Sequence, residues 1–254
     1  NAIKLPKAGF IKAKVHRQPK SNWKLKSATV FQTTDGLYFV SVIFEYEENI
    51  DKTINFDNCI GLDYKSDGLY MDSFGNVGDN HKFYHESHKK LAKEQRRLSR
   101  KIGSKKNEKK STNYLKQLKN VNKIHRHIAN QRLDNLHKKS NEIANRYDVV
   151  CVENLNMRNM SNKGFRNGKA TMDNGYGMFL NFLAYKLNDR SKYFVKVDKW
   201  YPSSQICSVC GSKKKLALNE RTYICECGNT IDRDLNAAIN IKREGLRLLK
   251  EMVA

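Results

Sequence analysis

The alternation of apolar and polar residues divides the first third of the chain into short strands. Residues 29–47 are β-branched and aromatic, with an Asp35-Gly36 pair between two runs, and this pattern predicts a β-hairpin. A second set of strand-like runs follows, with a turn signal at Gly75-Asn76. We expect a meander of three strands, at residues 59–63, 69–72 and 82–84.

Helical periodicity replaces this pattern between residues 86 and 147. Apolar side chains recur there at three- and four-residue intervals on both sides of Gly103-Ser104, which predicts a helical hairpin. An apolar run at residues 148–154 predicts a buried strand, and the polar stretch 156–177 predicts a mobile loop. The remaining predicted elements are a helix at 178–190, a strand at 193–198 and a last helix at about 234–251.

The charge of the chain indicates a polyanionic partner. Its 254 residues include 48 basic and 26 acidic side chains, which gives a formal net charge of +22. Residues 86–147 contain 19 basic and 5 acidic side chains, an excess of 14. A solvated helical surface is the plainer interpretation of such lysines, but the size of the excess favours nucleic acid. An anionic membrane is disfavoured, since the sequence has no apolar run of about 18 residues, and we expect a soluble protein.

Four of the six cysteines have the spacing of a zinc site. Two thiolate pairs separated by a short gap can surround one tetrahedral ion, and Gly211 and Gly228 follow the pairs where such turns need positive φ. Two disulfides or unliganded thiols are the alternative. Because four thiolates complete the coordination, we predict a structural zinc ion. The predicted ligands are Cys207, Cys210, Cys225 and Cys227.

The other two cysteines, Cys59 and Cys151, lie in apolar strand-like runs, and we predict that they are small core residues. This usage favours a reducing compartment.

Three carboxylates stand at the ends of predicted elements. Asp63 closes the first central strand, Glu153 ends the buried strand, and Asp234 opens the last helix. Each could be an ordinary helix cap or a solvated strand end. The order of elements nevertheless matches the ribonuclease H-like layout, in which these three positions converge. Four neighbouring acids are interpreted as turn, strand-end or cap residues: Asp67, Asp72, Asp198 and Asp232.

A converged trio of this kind suits phosphodiester hydrolysis. Two magnesium ions about 4 Å apart activate a water, stabilise the leaving oxygen and neutralise charge at phosphorus, and they require oxygen ligands. We expect Asp63 and Asp234 to be shared or flanking ligands and Glu153 to hold one ion and help orient the water. The sequence therefore predicts a two-metal nuclease.

Several motifs make the chain resemble the TnpB family, the transposon-encoded RNA-guided DNA nucleases related to type V CRISPR effectors. The resemblance covers nearly the whole chain, and its last third is the most diagnostic part. The motifs are PKAG at 6–9, IGLD at 60–63, KLAKEQRRLSR at 90–100, IANQR at 128–132, VENL at 152–155, YPSSQICSVCG at 201–211 and DRDLNAAINI at 232–241.

The resemblance implies an α/β fold. It comprises a ribonuclease H-like (RuvC) nuclease domain with an inserted zinc-ribbon-type segment and a basic helical hairpin, preceded by part of a wedge-like β-barrel. The predicted boundaries are 1–58 for the partial wedge-like domain, 59–200 for the nuclease domain, 201–230 for the zinc-binding segment that binds target nucleic acid, and 231–254 for the last RuvC motif and C-terminal helix. The helical recognition lobe of the family is absent from the sequence, and the chain starts without methionine, which favours a C-terminal fragment.

The resemblance also implies partners and cofactors. These are a guide RNA from the transposon end, a double-stranded DNA target, two catalytic magnesium ions on Asp63, Glu153 and Asp234, and one zinc ion on the four cysteines. It implies a prokaryotic cytoplasmic protein associated with the nucleoid. The predicted nucleic-acid contacts are Lys89, Lys90, Lys93, Arg96, Arg97, Arg100, Lys116, Lys119, Lys123, Arg126, Arg132 and Arg233.

Two alternatives to cleavage remain at this point. One is a nuclease-inactive, RNA-guided repressor, and the other is a nucleic-acid-binding transposon accessory. The sequence departs from the family after the first aspartate, where Tyr64-Lys65-Ser66 replaces the usual small or apolar residues. Whether Lys65 crowds the metal site is a question for the structure.

Overall fold

The computed structural model describes residues 2–47, 54–102, 110–160, 173–217 and 219–253. The chain divides into two compact units, residues 1–49 and residues 50–254. The boundary predicted after residue 58 is too late, because Phe56 packs against Tyr193 and the core of the second unit. The first unit therefore ends earlier than predicted.

The first unit consists of two antiparallel strand pairs. Thr33, Asp35 and Gly36 form the turn of the second pair, where Gly36 adopts a φ of 87°, so the predicted hairpin is confirmed. Large apolar side chains such as Phe10, Leu25 and Ile43 are exposed in this unit. Its strands are β1 (Ala2–Leu5), β2 (Gly9–Lys12), β3 (Lys24–Gln32) and β4 (Tyr38–Glu45).

The second unit is built on a four-stranded mixed sheet with the order β6-β5-β7-β8. β5, β7 and β8 are parallel, and β6 is an antiparallel edge strand. The apolar runs of β5 and β7 are buried because helices cover both faces of the sheet. The four strands are β5 (Cys59–Tyr64), β6 (Tyr70–Asp72), β7 (Val149–Glu153) and β8 (Tyr193–Val197).

The helices form layers on the two faces of this sheet. α2 and α4 share a buried apolar cluster with one face, and α5 shares another with the opposite face. α1 packs along α2, which confirms the predicted helical hairpin. The helices are α1 (Phe83–Ser99), α2 (Thr112–Arg146), α3 (Met157–Met160), α4 (Tyr176–Asn188) and α5 (Arg233–Val253).

The segments at residues 82–84 and 156–177 differ from the sequence-based prediction. The strand predicted at residues 82–84 is wrong, because α1 begins at Phe83 and β6 pairs instead with Val77 through Met71. The aromatic residues of that run are the first turn of an amphipathic helix, whose apolar spacing outweighs their preference for strands. The predicted loop at 156–177 contains α3 and the start of α4, and its residues 161–172 lie outside the described part of the chain.

Two cysteines of the central sheet are buried. Cys59 and Cys151 are both buried free thiols, with their Sγ atoms 3.7 Å apart across β5 and β7, so their assignment to the core is confirmed. Among the described residues, no helix has the length and apolarity needed to span a bilayer.

Candidate functional site

Asp63 and Glu153 lie side by side at the carboxyl edge of the sheet. β5 and β7 are parallel with Leu62 opposite Val152, so the next pair in the same register is Asp63 and Glu153. Side chains alternate between the two faces of a strand. Because Cys151 packs against α5, Glu153, two residues later, points to the same face, and so does Asp63. Both carboxylates therefore lie on the α5 side of the sheet.

The last helix brings Asp234 to the same edge. A methyl group at Gly61 would overlap the carbonyl oxygen of Ala238, and one at Gly245 would overlap the thiol of Cys151. These two glycines let the α5 backbone lie directly on β5 and β7. Asp234 precedes Ala238 by about one helical turn. Lys65, directly after β5, contacts Asp234, and the charge of Asp234 acts on Asp63, so Asp234 lies near the end of β5 that bears Asp63.

The neighbouring acid Asp232 has a different role. Its Oδ1 accepts hydrogen bonds from the backbone amides of Asp234 and Leu235, at 2.9 and 3.0 Å. This is the geometry of a helix N-cap, which satisfies two otherwise unpaired amides. The Asp232 carboxylate caps the helix, whereas that of Asp234 contacts Lys65 and Arg233.

Two carboxyl groups of this cluster, Asp63 and Glu153, have raised pKa values. Burial raises the pKa of Asp63 well above its usual range, and the nearby charges of Glu153 and Asp234 raise it further. Burial also raises the pKa of Glu153 to about 7. Burial disfavours the ionised form of both groups, and for Asp63 the neighbouring negative charges add to this effect. A cation at this edge would relieve that repulsion.

Two basic side chains already approach Asp234. Lys65 Nζ donates a hydrogen bond of 2.8 Å to Oδ2, and Arg233 Nε lies 3.7 Å from Oδ1. The contact with Asp234 raises the pKa of Lys65. In this structure the Lys65 ammonium group therefore occupies one carboxylate oxygen of Asp234.

Two buried polar side chains of α4 and the segment before it complete the surroundings. Asn174 Nδ2 donates to the carbonyl oxygens of Lys65 and Gly68, which fixes the turn after Asp63. The Tyr176 hydroxyl is buried and has no hydrogen-bond partner among the described residues. Burial raises the pKa of Tyr176, and Asp63 and Glu153 raise it further, so the phenol remains a donor beside the acids. An unpaired buried donor of this kind fits a site that takes a ligand or water.

The carboxylate oxygens of Asp63, Glu153 and Asp234 lie farther apart than the ligand atoms around one small ion. Among the described residues, the four cysteines are the group whose potential ligand atoms all lie within 4.8 Å of one another. Three other acids have structural partners, as predicted. Asp72 accepts amide hydrogen bonds in the turn after β6, Asp198 accepts one from Trp200 after β8, and Asp232 caps α5. Asp67 lies 3.7 Å from Lys65 and is largely exposed.

The four cysteines meet in a compact cluster. Cys207 and Cys227 have their sulfurs 3.7 Å apart, and Cys210 and Cys225 are 3.5 Å apart. Cys225 and Cys227 lie in the turn between β9 (Thr222–Ile224) and β10 (Thr230–Asp232). Four thiols at these separations fit one tetrahedral ion.

The turns around the cysteines have the backbone that the sequence predicted. Gly211 and Gly228 adopt φ values of 78° and 88° directly after the two pairs, a conformation that costs glycine little. Burial acts to raise the pKa of Cys207, but amide groups of Cys210, Val209 and Asn229 outweigh it and lower the pKa to about 6. The turns therefore stabilise a thiolate.

Two asparagines of α5 connect this cluster to the acidic edge. Asn236 Nδ2 donates to the Ile206 carbonyl at 2.7 Å, and its Oδ1 accepts from the Ser208 amide at 2.9 Å. Asn240 Nδ2 donates to the carbonyls of Ser203 and Ile206. Sequence reasoning missed these residues, although two asparagines one turn apart on an apolar helix face are a usable signal of buried hydrogen bonding.

Nine of the twelve predicted nucleic-acid contacts are exposed on the helical hairpin. They are Lys89, Lys90, Lys93, Arg96, Arg97, Arg100, Lys116, Lys119 and Lys123. On α1, residues 89, 93, 96 and 100 recur at helical spacing and form one basic stripe. We call this stripe with the neighbouring lysines of α2 the basic face.

The other three predicted contacts are half-buried. Arg132 Nη2 lies 2.6 Å from Asp173 Oδ1, and its Nε donates to the carbonyl oxygen of the same residue. Arg233 lies against Asp234, and Arg126 also has an interaction partner. A role in nucleic-acid binding fits Arg132 poorly, because its guanidinium is used within the fold.

Two protein-family models match the chain. The model described as "Probable transposase", OrfB_IS605, matches residues 44–164, and the model described as "Cas12f1-like, TNB domain" matches residues 176–241. A protein of Streptomyces pristinaespiralis described as "Putative RNA-guided DNA endonuclease" is 34% identical over 87% of this chain and 53% of its own length. "Putative RNA-guided DNA endonuclease InsQ" of Escherichia coli K12 is 30% identical over 97% of this chain and 63% of its own.

A solved structure also resembles the fold. It is described as "Cryo-EM structure of the Cas12f1-sgRNA-target DNA complex", and the match has a TM-score of 0.56 at 18% identity, covering 87% of this chain and 46% of that one. The chain thus spans between about half and two thirds of the length of these curated relatives. The mixed α/β architecture is shared with Cas12f1.

Proposed function

Because this chain belongs to the TnpB family, we propose that it carries the nuclease centre of an RNA-guided DNA endonuclease that hydrolyses phosphodiester bonds with magnesium. One observation carries the proposal. Two adjacent parallel strands and the start of the last helix bring Asp63, Glu153 and Asp234 to one edge of the sheet. A fold stabilised only by its core has no need for three converging carboxylates.

The fold assignment within this proposal is a RuvC-like, ribonuclease H-like domain. The mixed sheet with one antiparallel edge strand and helices on both faces supports it. Residues 201–230 are proposed as a zinc-ribbon-type segment that binds target nucleic acid, and the first unit, residues 1–49, as part of a wedge-like domain. The four-cysteine cluster supports the zinc assignment.

The acidic edge fits hard divalent cations. Its ligand atoms would be carboxylate oxygens. Burial raises the pKa values of Asp63 and Glu153, and the charges of Glu153 and Asp234 raise that of Asp63 further, so a bound cation would stabilise the ionised carboxylates. The Tyr176 hydroxyl, which is buried and unpaired, could donate to a water of the site. When bound, magnesium supplies an activated water and charge neutralisation at phosphorus. Asp63 and Asp234 would hold the ions, and Glu153 would hold one of them and orient the water.

The remaining parts of the chain suit a polyanionic substrate. Exposed lysines and arginines of the basic face contact phosphates without reading sequence, which leaves target choice to base pairing. We propose a guide RNA from the transposon end and a double-stranded DNA target as partners. The printed descriptions of the relatives and of the Cas12f1 complex support this choice.

The structural zinc ion would hold the two cysteine turns together. Asn236 and Asn240 then join that segment to the helix that bears Asp234. Loosening the cysteine cluster would weaken these hydrogen bonds and so disturb the position of Asp234 at the acidic edge.

The test is cleavage by the full-length protein, expressed with its flanking transposon end so that the guide RNA co-purifies. We expect magnesium-dependent cutting of a plasmid that matches the co-purified RNA. Asp63→Ala, Glu153→Ala and Asp234→Ala should each abolish cutting and leave RNA binding unchanged, because each removes a metal ligand. Asp198→Asn is the matched control, since it alters an acid at the end of the adjacent strand whose partner is the Trp200 amide.

Retained cutting in all three alanine variants would refute the site assignment. RNA binding without any cutting by the unmodified protein would instead favour a guided repressor. Absence of co-purifying RNA would favour a transposon accessory that binds nucleic acid without a guide.

A further inference from the structure

Lys65 forms an ion pair inside the proposed metal centre. Its Nζ lies 2.8 Å from Asp234 Oδ2, with the lysine side chain 19% exposed and the aspartate side chain 14% exposed. Resting on the proposed function, we infer that Lys65 is a displaceable internal cation. It holds Asp234 until a divalent cation binds, and then moves to Asp67.

The main chain of Lys65 is fixed, whereas its side chain can move. Asn174 Nδ2 donates to the Lys65 carbonyl at 3.2 Å and also to the Gly68 carbonyl, so the turn after Asp63 is tied to the segment before α4. Lysine is a point charge on a flexible four-carbon stem, which can exchange one carboxylate for another without backbone movement. Lys65 can thus leave Asp234 while the turn keeps its shape.

A second carboxylate lies within reach. Lys65 Nζ is 3.7 Å from Asp67 Oδ1, and the Asp67 side chain is 75% exposed. Asp67 is too open to hold a metal ion by itself, but it can accept the ammonium group when that group leaves the centre. A short side-chain movement therefore connects the two arrangements.

The charges of the centre explain why such a cation is useful. Glu153 and Asp234 both act on Asp63 as nearby negative charges, and in the metal-free protein Lys65 supplies positive charge to Asp234. Arg233 is a second cation beside Asp234, but its Nε is 3.7 Å from Oδ1, a longer contact on the other oxygen. Lys65 and a metal ion would compete for Oδ2, because an ammonium group and a divalent cation held at the same oxygen repel each other.

Competition predicts opposite effects for two substitutions. Lys65→Met nearly keeps the length of the side chain and removes its charge. Mn²⁺ or Mg²⁺ should then bind about tenfold more tightly, because the metal no longer has to break a hydrogen-bonded ion pair to reach Asp234. Asp67→Asn removes the alternative partner, so binding should weaken by about two- to fivefold, as for an exposed pair. In the double variant, the Asp67 substitution should have no further effect.

The experiment is calorimetric titration of the purified full protein, with its zinc retained. Mn²⁺ and Mg²⁺ are titrated separately, and their binding affinities are measured. Lys138→Met is the matched control, because Lys138 pairs with Asp134 at 2.6 Å on an exposed face of α2. That variant should bind metal like the unmodified protein. The Asp67→Asn protein leaves the Lys65–Asp234 pair intact, so it tests the inference even if the Lys65 variant folds poorly.

The outcomes separate this inference from the proposed function. If the unmodified protein binds neither ion, or binds them equally well after Asp63→Ala, the proposed function fails. If the unmodified protein binds metal in a manner that depends on Asp63, but Lys65→Met binds it with equal or lower affinity, only the displaceable cation is refuted. Additive effects of the two substitutions would refute the transfer to Asp67.

Discussion

The burial of Glu153 predicts a pH-dependent loss of stability that one substitution should remove. Burial raises the pKa of this carboxyl group from its ordinary value of 4.5 to about 7 in the folded protein. The folded state therefore holds the proton more tightly than the unfolded state. Stability falls as the pH rises from the unfolded pKa through the folded pKa, because ionisation is less favourable in the folded protein. Glu153→Gln mimics the protonated group and cannot ionise.

The magnitude follows from the two pKa values. At about 1.4 kcal/mol per pKa unit, the difference corresponds to about 3 kcal/mol between pH values below 4.5 and above 7. Loss of the Glu153 charge also lowers the pKa of Asp63, since that charge is one cause of its elevation. This second effect has the same sign, so the variant should be more stable than the unmodified protein at pH 8.5 by about 3 kcal/mol.

The assay is urea unfolding at pH 5 and at pH 8.5, in buffer without magnesium and with zinc retained. The stabilities of the two proteins should be close at pH 5 and should separate at pH 8.5, and added magnesium should then stabilise the unmodified protein more than the variant. Glu142→Gln, a change at an exposed position of α2, is the control and should show no such separation. An equal offset between Glu153→Gln and the unmodified protein at both pH values would refute the reasoning.

Three further predictions concern the zinc cluster, the helix contact and the basic face. Cys225→Ser should remove bound zinc and loosen the last third of the chain in hydrogen exchange, whereas Cys59→Ser should keep the zinc; equal zinc content in both would contradict the assignment. Gly61→Ala should destabilise the protein to urea by about 2 kcal/mol or more, because its methyl group meets the Ala238 carbonyl; an unchanged midpoint would contradict this packing. Replacing Lys93 and Arg96 by Gln should lower the salt dependence of DNA binding by about one unit per lost phosphate contact, and an unchanged slope would place the DNA elsewhere.

Much of the secondary structure could be predicted because burial on both faces leaves a clear pattern. β5 and β7 are continuous apolar runs with an acid at the end of each, and the structure aligns those ends in one register. The cysteine spacing and the glycines after each pair indicated the metal cluster, and both glycines adopt the expected positive φ. The strand predicted at residues 82–84 failed because aromatic residues also form the apolar side of a helix.

The contacts of the individual side chains could not be predicted in the same way. Arg132 resembles its basic neighbours in sequence, but Asp173, 41 residues away, holds it inside the fold. Lys65 is conspicuous in sequence, yet its contact with Asp234 joins residues separated by 169 positions. Asn236 and Asn240 belong to a recognisable motif, but their partners in the cysteine segment emerge only in the structure.

The sequence by itself predicted the strands of the central sheet, the long helices, the four clustered cysteines and the three acids proposed for the site, because periodicity and spacing are local properties of the chain. Only the tertiary structure decided which carboxylates face one another, which of them is already paired with a lysine and which basic residues remain exposed. Those outcomes depend on strand register and on the close approach of α5 at Gly61 and Gly245, which join residues far apart in the chain.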